Sequence, residues 1–363
     1  MNLNRNIYVC PRTKRPLALQ PGQVAGDEVV TGTLSGEGTP VYPILGGVPD
    51  FVIRDGLRAD QSETLSYYEN AATVYDDVAH LSFTIQKVDE ESKRRSFIDL
   101  LRLEPQHRVL ELACGTGRDS VNIARALGPT GRYYLQDLSR SMIERCGQKL
   151  RDAAVPVELS TGDACRLAFP DRWFDAVFSF GGLGVFGDIA TALREIVRVA
   201  RVGARVVVGD ESLAPWLYQT EYGRILLNNN PLFKAELPLA QLPPEARDVR
   251  VQWVVGGVYY LIDFVVGEGE PEANFDLEIP GARGGTLRTR YYGRMEGVTP
   301  QTLDLARRAG AKSGKSMHAW LDAAVRSAAL NELEPEGKSR EGKSSGANAP
   351  EGKQNEKPPG GKR

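Results

Sequence analysis

The sequence predicts an α/β fold: a doubly wound, mostly parallel sheet with helices on both faces, preceded by a small β module and followed by a helical hairpin. Three observations point to it. Between Arg108 and Asp210, apolar runs of four to six residues alternate with amphipathic segments of helical period, which is the pattern of βαβ units. A glycine-rich turn, ACGTG at 113–117, directly follows the first of those runs. The composition, 41% apolar and 25% charged over 363 residues, is ordinary globular usage. That length suits one large domain with additions, or two, at ~150 residues each.

Composition also excludes. A net charge of -2 argues against a protein held to nucleic acid by overall positive charge, although it leaves room for a local basic patch. The four cysteines, Cys10, Cys114, Cys146 and Cys165, form no CxxC pair, so neither a disulfide framework nor a metal-ligand set is expected. A reducing, cytoplasmic setting follows. The opening MNLNRNIYVCPRTKRP lacks a secretory apolar run, and nowhere do ~18 apolar residues stand together, so a soluble protein is expected.

Residues 1–57, rich in Gly, Pro and short β-branched runs, read as the small β module. From about Asp60 the pattern turns helical. Leu65, Tyr68, Ala72 and Tyr75 share a face, which makes Tyr68 and Tyr75 core side chains, with Ser62 as the cap. Then come RVLELA and a helix to Leu127 ending before Gly128, RYYLQD, a helix capped by Ser139, PVELS, FDAVFSF, a helix with Ile189, Leu193, Ile196 and Ala200 on one face, and ARVVVGD. VRVQWVVGGVYYLIDFVV, with Gly-Gly between two apolar runs, predicts an antiparallel hairpin completing the sheet of a domain over 58–270. A strand and two helices are expected over 285–332, with Thr299 and Ser316 as caps, Pro300 at a first helical position and Gly314 as breaker. Residues 334–363 repeat EGK three times without an aromatic residue and read as a disordered tail.

Three guests compete for the glycine turn. A triphosphate loop needs GxxxxGK[ST], and no Lys-Ser or Lys-Thr follows at that spacing. The dinucleotide fingerprint GxGxxG has Gly115 and Gly117 but Ser120 in its third place, which makes a dinucleotide the weaker guest. The stretch VLELACGTG resembles motif I of the class I S-adenosylmethionine-dependent methyltransferases, a Rossmann-like family, and the further motifs follow in order. Asp137 ends the next strand in LQDLSRSMI, TGDACRLAFPDRWFDAVFSF resembles the GDA segment and fourth strand, and Val202, Gly203 and Ala204 stand where Pro-Gly-Gly is usual. The resemblance covers roughly 60–266, with quinone C-methyltransferases the nearest group. It implies S-adenosyl-L-methionine as cofactor, its ammonium near Glu111, bare backbone at Gly115 and Gly117, the ribose hydroxyls on Asp137, and adenine by Asp163 and Ala164, with Ala113, Leu138 and Ser179 completing the contacts.

Methyl transfer is an in-line displacement that needs alignment, water exclusion and sometimes a base, so no catalytic residue is obligatory. Tyr67, Tyr68, Tyr75, His80, Phe180, Asp210 and Glu211 are the candidates; the bland reading of each is structural, and of His80 a solvated or hydrogen-bonded histidine. The chemistry expected is methylation of a small molecule. At the front, CPRTKRPL with YPILGGVPDF resembles the zinc-ribbon-like domain of tRNA-methyltransferase activators, but Thr13 replaces the second cysteine, so no metal is expected. At the back, LARRAGAKSGKSMHAWLDAAV resembles the helices of ribbon-helix-helix proteins. That implies a homodimer or packing through Trp320, Leu321 and Val325 more readily than DNA contact by Arg288, Arg290 and Arg294 from a strand. Two rivals remain: an RNA or protein methyltransferase docking through the front module, and a DNA-binding regulator whose core senses the cofactor.

Overall fold

The computed structural model describes residues 1–282, 284–292 and 298–333; Arg294 and the expected tail from residue 334 lie outside them. The chain divides into two units, Met1–Pro271 and Glu272–Arg363.

In the first unit, residues up to about 53 form the expected β module. Strands β1 (Ala18–Pro21), β4 (Gly32–Ser35), β5 (Tyr42–Leu45) and β6 (Val48–Pro49) make an antiparallel sheet, beside a ribbon of β2 (Val24–Ala25) and β3 (Glu28–Val29). The main sheet contains β7 (Arg108–Leu112), β8 (Arg132–Asp137), β9 (Val157–Thr161), β10 (Phe174–Phe180), β11 (Ala200–Glu211), β12 (Ala246–Val254) and β13 (Tyr259–Val266), in the order β12-β13-β11-β10-β7-β8-β9. The five strands β7 to β11 are parallel, and the β12–β13 hairpin joins antiparallel to β11 through β13. Gly256 and Gly257, at φ of 65° and 83°, make its turn as expected. Strands covered by helices on both faces must be apolar on both, and Phe174, Ala176, Val177 and Phe178 of β10 are all fully buried. Strand order reverses between β7 and β10, and at such a switch point the loops beyond the carboxyl ends diverge and leave a crevice.

The helices of this unit are α1 (Ala59–Ala71), α2 (Tyr75–Ala79), α3 (Leu81–Ile85), α4 (Glu90–Asp99), α5 (Ser120–Ala126), α6 (Arg140–Lys149), α7 (Ile189–Val199) and α8 (Glu221–Asn229). Ser139 caps α6 by accepting the Met142 N–H at 3.2 Å, and Leu193 and Ile196 of α7 are fully buried. Two expectations near α1 need correction. Ser62 is not the cap: α1 begins at Ala59, where the buried Gln61 side chain accepts the Arg58 N–H at 3.1 Å and closes the first turn earlier. The single helix expected to continue past Tyr75 is broken into three because Asp76 is tied elsewhere, to the Thr116 hydroxyl and the Lys149 ammonium, each at 2.6 Å.

The β module closes the edge of the main sheet. The Phe51 N–H donates to the Thr161 carbonyl of β9 at 2.8 Å, and that of Val9 to the Ala168 carbonyl at 3.0 Å. Phe51, 2% exposed, packs between Tyr8 (4.9 Å between ring centres) and Tyr42 (5.3 Å). The Cys10 thiol lies 3.2 Å from the Tyr42 hydroxyl within that same core.

The second unit holds α9 (Leu287–Tyr292), α10 (Pro300–Ser313) and α11 (Met317–Leu333). Thr299 and Ser316 cap as expected, accepting the N–H groups of Thr302 at 3.3 Å and Ala319 at 3.2 Å, and Gly314 ends α10 at φ 68°. The strand expected around Arg288 and Arg290 is instead the helix α9. The Thr286 hydroxyl accepts the Thr289 N–H at 3.1 Å while the Thr289 hydroxyl accepts the Thr286 N–H at 2.9 Å, and this reciprocal cap nucleates a helical turn.

Phe51→Ala should cost about 3–5 kcal/mol of stability, the usual range for truncating a buried phenylalanine. Urea unfolding followed by tryptophan fluorescence measures it, and a loss under 1 kcal/mol would mean that the module is not integral to the first unit.

Candidate functional site

A cavity of about 370 Å³ opens beyond the carboxyl ends of β7, β8, β10 and β11. Its floor is the glycine turn. Ala113, Gly115 and Gly117 all take positive φ, at 51°, 52° and 89°, so the chain doubles back tightly here, and Ala113 to Thr116 line the cavity. At Gly115, and at Gly181 after β10, the place a Cβ would occupy is open space on the cavity side. A Cβ on Gly182 would stand 2.3 Å from that of Ala113, so the two loops approach to backbone contact.

Asp137 fastens this floor. Its carboxylate accepts the Gly115 N–H at 2.8 Å through one oxygen and the Ser139 N–H at 2.9 Å through the other, and it lines the cavity. Burial pushes this carboxyl up to about 6, opposed by those two N–H groups. Leu138, Asp163 and Ala164 line the same end, and Asp163 accepts the Cys165 N–H at 2.9 Å.

Three residues expected at the cofactor do not line the cavity. Glu111 lies beneath the turn, wholly buried, accepting hydrogen bonds from the Ser120 hydroxyl at 2.6 Å and from Tyr133. Burial there pushes its carboxyl well above the usual range. Gly117 turns away toward α6, where a Cβ would meet the Cys146 sulfur at 3.0 Å; the glycine serves helix packing. Ser179 is fully buried within β10, with its hydroxyl unpartnered.

The opposite end is walled by Tyr67, Tyr68, Tyr75, Phe180, Tyr259 and Tyr260, with Asp210, Glu211 and Glu236 among them. Tyr68 and Tyr75, expected in the core, thus face the cavity, because the break after α1 turns that stripe over the crevice. His80 does not line it; its ring nitrogen lies 3.4 Å from the Asp76 carbonyl. Asp210 accepts the backbone N–H groups of Gly184 at 2.5 Å and Glu211 at 2.7 Å, and burial pushes it up to about 6.

Several lining residues escaped the sequence reading, among them Gln61, Arg94, Arg118, Tyr259 and Tyr260. The tyrosines were legible as strand residues, but only the antiparallel addition of β13 brings its first two residues level with the end of β11. Arg94 offers no local signal, since its place is set by partners far along the chain: Asp119 at 2.6 Å, with Glu90 of its own helix also at 2.6 Å.

Residues 109–203 match the family described as "Methyltransferase domain". The chain is 32% identical over 157 residues to the 2-phytyl-1,4-naphtoquinone methyltransferase of Synechococcus elongatus, covering 42% of this chain and 65% of that one. It is 34% identical over 151 residues to a ubiquinone/menaquinone biosynthesis C-methyltransferase of Pasteurella multocida, covering 41% and 55%. The chain thus spans less than two thirds of either relative. Among solved structures, a SAM-dependent methyltransferase from Aquifex aeolicus aligns over 55% of this chain and 98% of its own at 18% identity, with a TM-score of 0.38. Among the described residues no helix is long and apolar enough to cross a membrane.

Asp210 ionises near its ordinary value, ~4, when the chain is unfolded. It ionises near 6 when folded, so the folded state holds the extra proton between those values and stability falls as pH rises across them. Asp210→Asn should therefore gain on the wild type between pH 4 and 6, by at most about 3 kcal/mol, with a constant difference above. Urea titrations of both proteins over pH 4–8 check this, and a difference independent of pH would contradict it.

Proposed function

We propose that this protein is an S-adenosylmethionine-dependent methyltransferase acting on a small-molecule acceptor. The carrying observation is the pairing of Asp137 with bare main chain at Gly115 on one cavity wall. The donor set fits the nucleoside chemically: each Asp137 oxygen engaged by one backbone N–H keeps a lone pair for a ribose hydroxyl, and Asp163, Ala164 and Leu138 line the neighbouring end for an adenine. Gly115 and Gly181 offer the methionine portion backbone without side chains, with Ala113 beside them. S-adenosylmethionine, when bound, supplies a methyl group on a sulfonium. The chain's tasks are then to hold the acceptor in line and to keep water out, for which the aromatic wall is suited.

The match over 109–203 and the two quinone methyltransferase relatives support both the reaction and an acceptor of small-molecule size. The β module, with Cys10 packed against Tyr42, is a metal-free relic of a zinc-ribbon-like domain that braces the sheet edge. The second unit mediates self-association: its helices leave Leu305, Val325, Leu330 and Leu333 exposed. Duplex contact by a strand at Arg288 and Arg290 has no support, since both lie on α9, Arg288 paired with Asp276 at 3.0 Å and Arg290 bonded to the Gly284 carbonyl. The setting is the cytoplasm.

Asp137→Ala should weaken binding of S-adenosylhomocysteine by about a hundredfold or more, the worth of two hydrogen bonds to a charged group. Isothermal calorimetry measures it, with circular dichroism reporting the fold. Unchanged affinity would remove Asp137 from the site.

A further inference from the structure

We propose that the methyl acceptor carries a cationic nitrogen, bound at the aromatic end of the cavity by carboxylates and ring faces. This rests on the methyltransferase reading and names the acceptor class within it.

The charges at that end do not cancel. Arg94 and Arg118 line the cavity, but both are occupied: Arg94 by Glu90 and Asp119, each at 2.6 Å, and Arg118 by Glu90 at 2.5 Å and Asp76 at 3.5 Å. Asp210, Glu211 and Glu236, in contrast, form no ion pair among the described residues. Asp210 is satisfied only by backbone N–H groups, and Glu211 by the Asn230 amide at 2.9 Å and the Tyr259 hydroxyl at 3.4 Å. Asp210 and Glu211, partly withdrawn from water and given only neutral donors, favour a cation that enters with the ligand.

The aromatic wall points the same way independently. Tyr260 is 2% exposed and lines the cavity, and its hydroxyl has no hydrogen-bond partner among the described residues, which leaves its oxygen free for a ligand. Tyr68, Tyr75, Phe180 and Tyr259 present rings beside it. Ring faces here already take one cation, because the Arg94 guanidinium lies 5.5 Å from the centre of Phe180 and 4.9 Å from that of Phe83. A neutral quinone could accept from the tyrosine hydroxyls of this wall, but it brings no charge to answer the carboxylates. A cationic nitrogen answers them by charge, facing the carboxylates and the Tyr260 oxygen while its carbons lie on the rings.

Choline and its uncharged isostere 3,3-dimethylbutan-1-ol separate charge from shape. The full-length protein is first titrated with S-adenosylhomocysteine in a calorimeter, and the two probes are then titrated into the saturated complex. Choline should bind at least about tenfold more tightly, the increment expected of one desolvated cation–π contact assisted by carboxylates. Glu211→Gln should cut that ratio several-fold, and Glu236→Gln, at the exposed mouth, should do so without risk to folding. An alcohol bound as well as choline, or neither bound, in a protein that still takes up S-adenosylhomocysteine would overturn the cationic acceptor alone. No heat with S-adenosylhomocysteine would overturn the methyltransferase reading and this inference with it.

Discussion

The site depends on one carboxylate holding two loops. Asp137 ends β8, and by accepting N–H groups from Gly115 and Ser139 it fixes the turn after β7 against the start of α6. Without that tie the turn would have little reason to hold its shape. Ala113 sits at φ 51°, a conformation costing a non-glycine residue about 1 kcal/mol or more. From behind, Glu111 receives Ser120 and Tyr133, and Gly117 lets Cys146 pack flush against the turn. The backbone facing the cavity is therefore clamped from both sides before any ligand arrives, which is the preorganisation that a positioning enzyme needs.

A second layer of charge extends that rigidity to the helices over the crevice. Asp76 on α2 reaches Thr116 in the turn and Lys149 on α6, while Glu90 on α4 joins Arg94 to Arg118. Each pair alone would be worth little at a surface, but these side chains are mostly withdrawn from water and share partners, so that loss of one would strand another. Because Arg94 and Arg118 are used in this way, they do not neutralise the carboxylates across the cavity. The electrostatic character of the aromatic end of the cavity is thus a by-product of how its cover is tied down.

Much of this was legible in the sequence, and each miss has a physical cause. Alternation of period identified the parallel sheet, and Gly115, Asp137, Asp163 and Ala164 reach the cavity because each sits at a strand end or in the first residues after one, where position along the chain dictates position in space. Gly117 and Glu111 also sit there, but spacing does not say which side of a turn a residue faces. Here they face inward, toward α6 and α5, and serve packing. Tyr68 and Tyr75 were assigned to the core because an apolar helical stripe says only that a face is covered; here it covers an open crevice. Ser62 and the strand at Arg288 failed for a local reason, since side-chain caps from Gln61 and Thr289 set helix boundaries that propensity alone does not.

The front module shows how a small β unit holds together with Thr13 where a second cysteine would stand. About fifty residues bury too little apolar surface to be stable by themselves, and small domains usually add metal or disulfides. Here Tyr8 and Phe51 continue into Phe169, Tyr134 and Phe174 of the main domain with ring centres 4.9 to 5.9 Å apart, so one aromatic core runs through both. The module also receives a hydrogen bond partner from β9 that an edge strand would otherwise leave to solvent or to another chain. Stability and edge protection are therefore exchanged across a single junction, within which Cys10 is a packing residue against Tyr42.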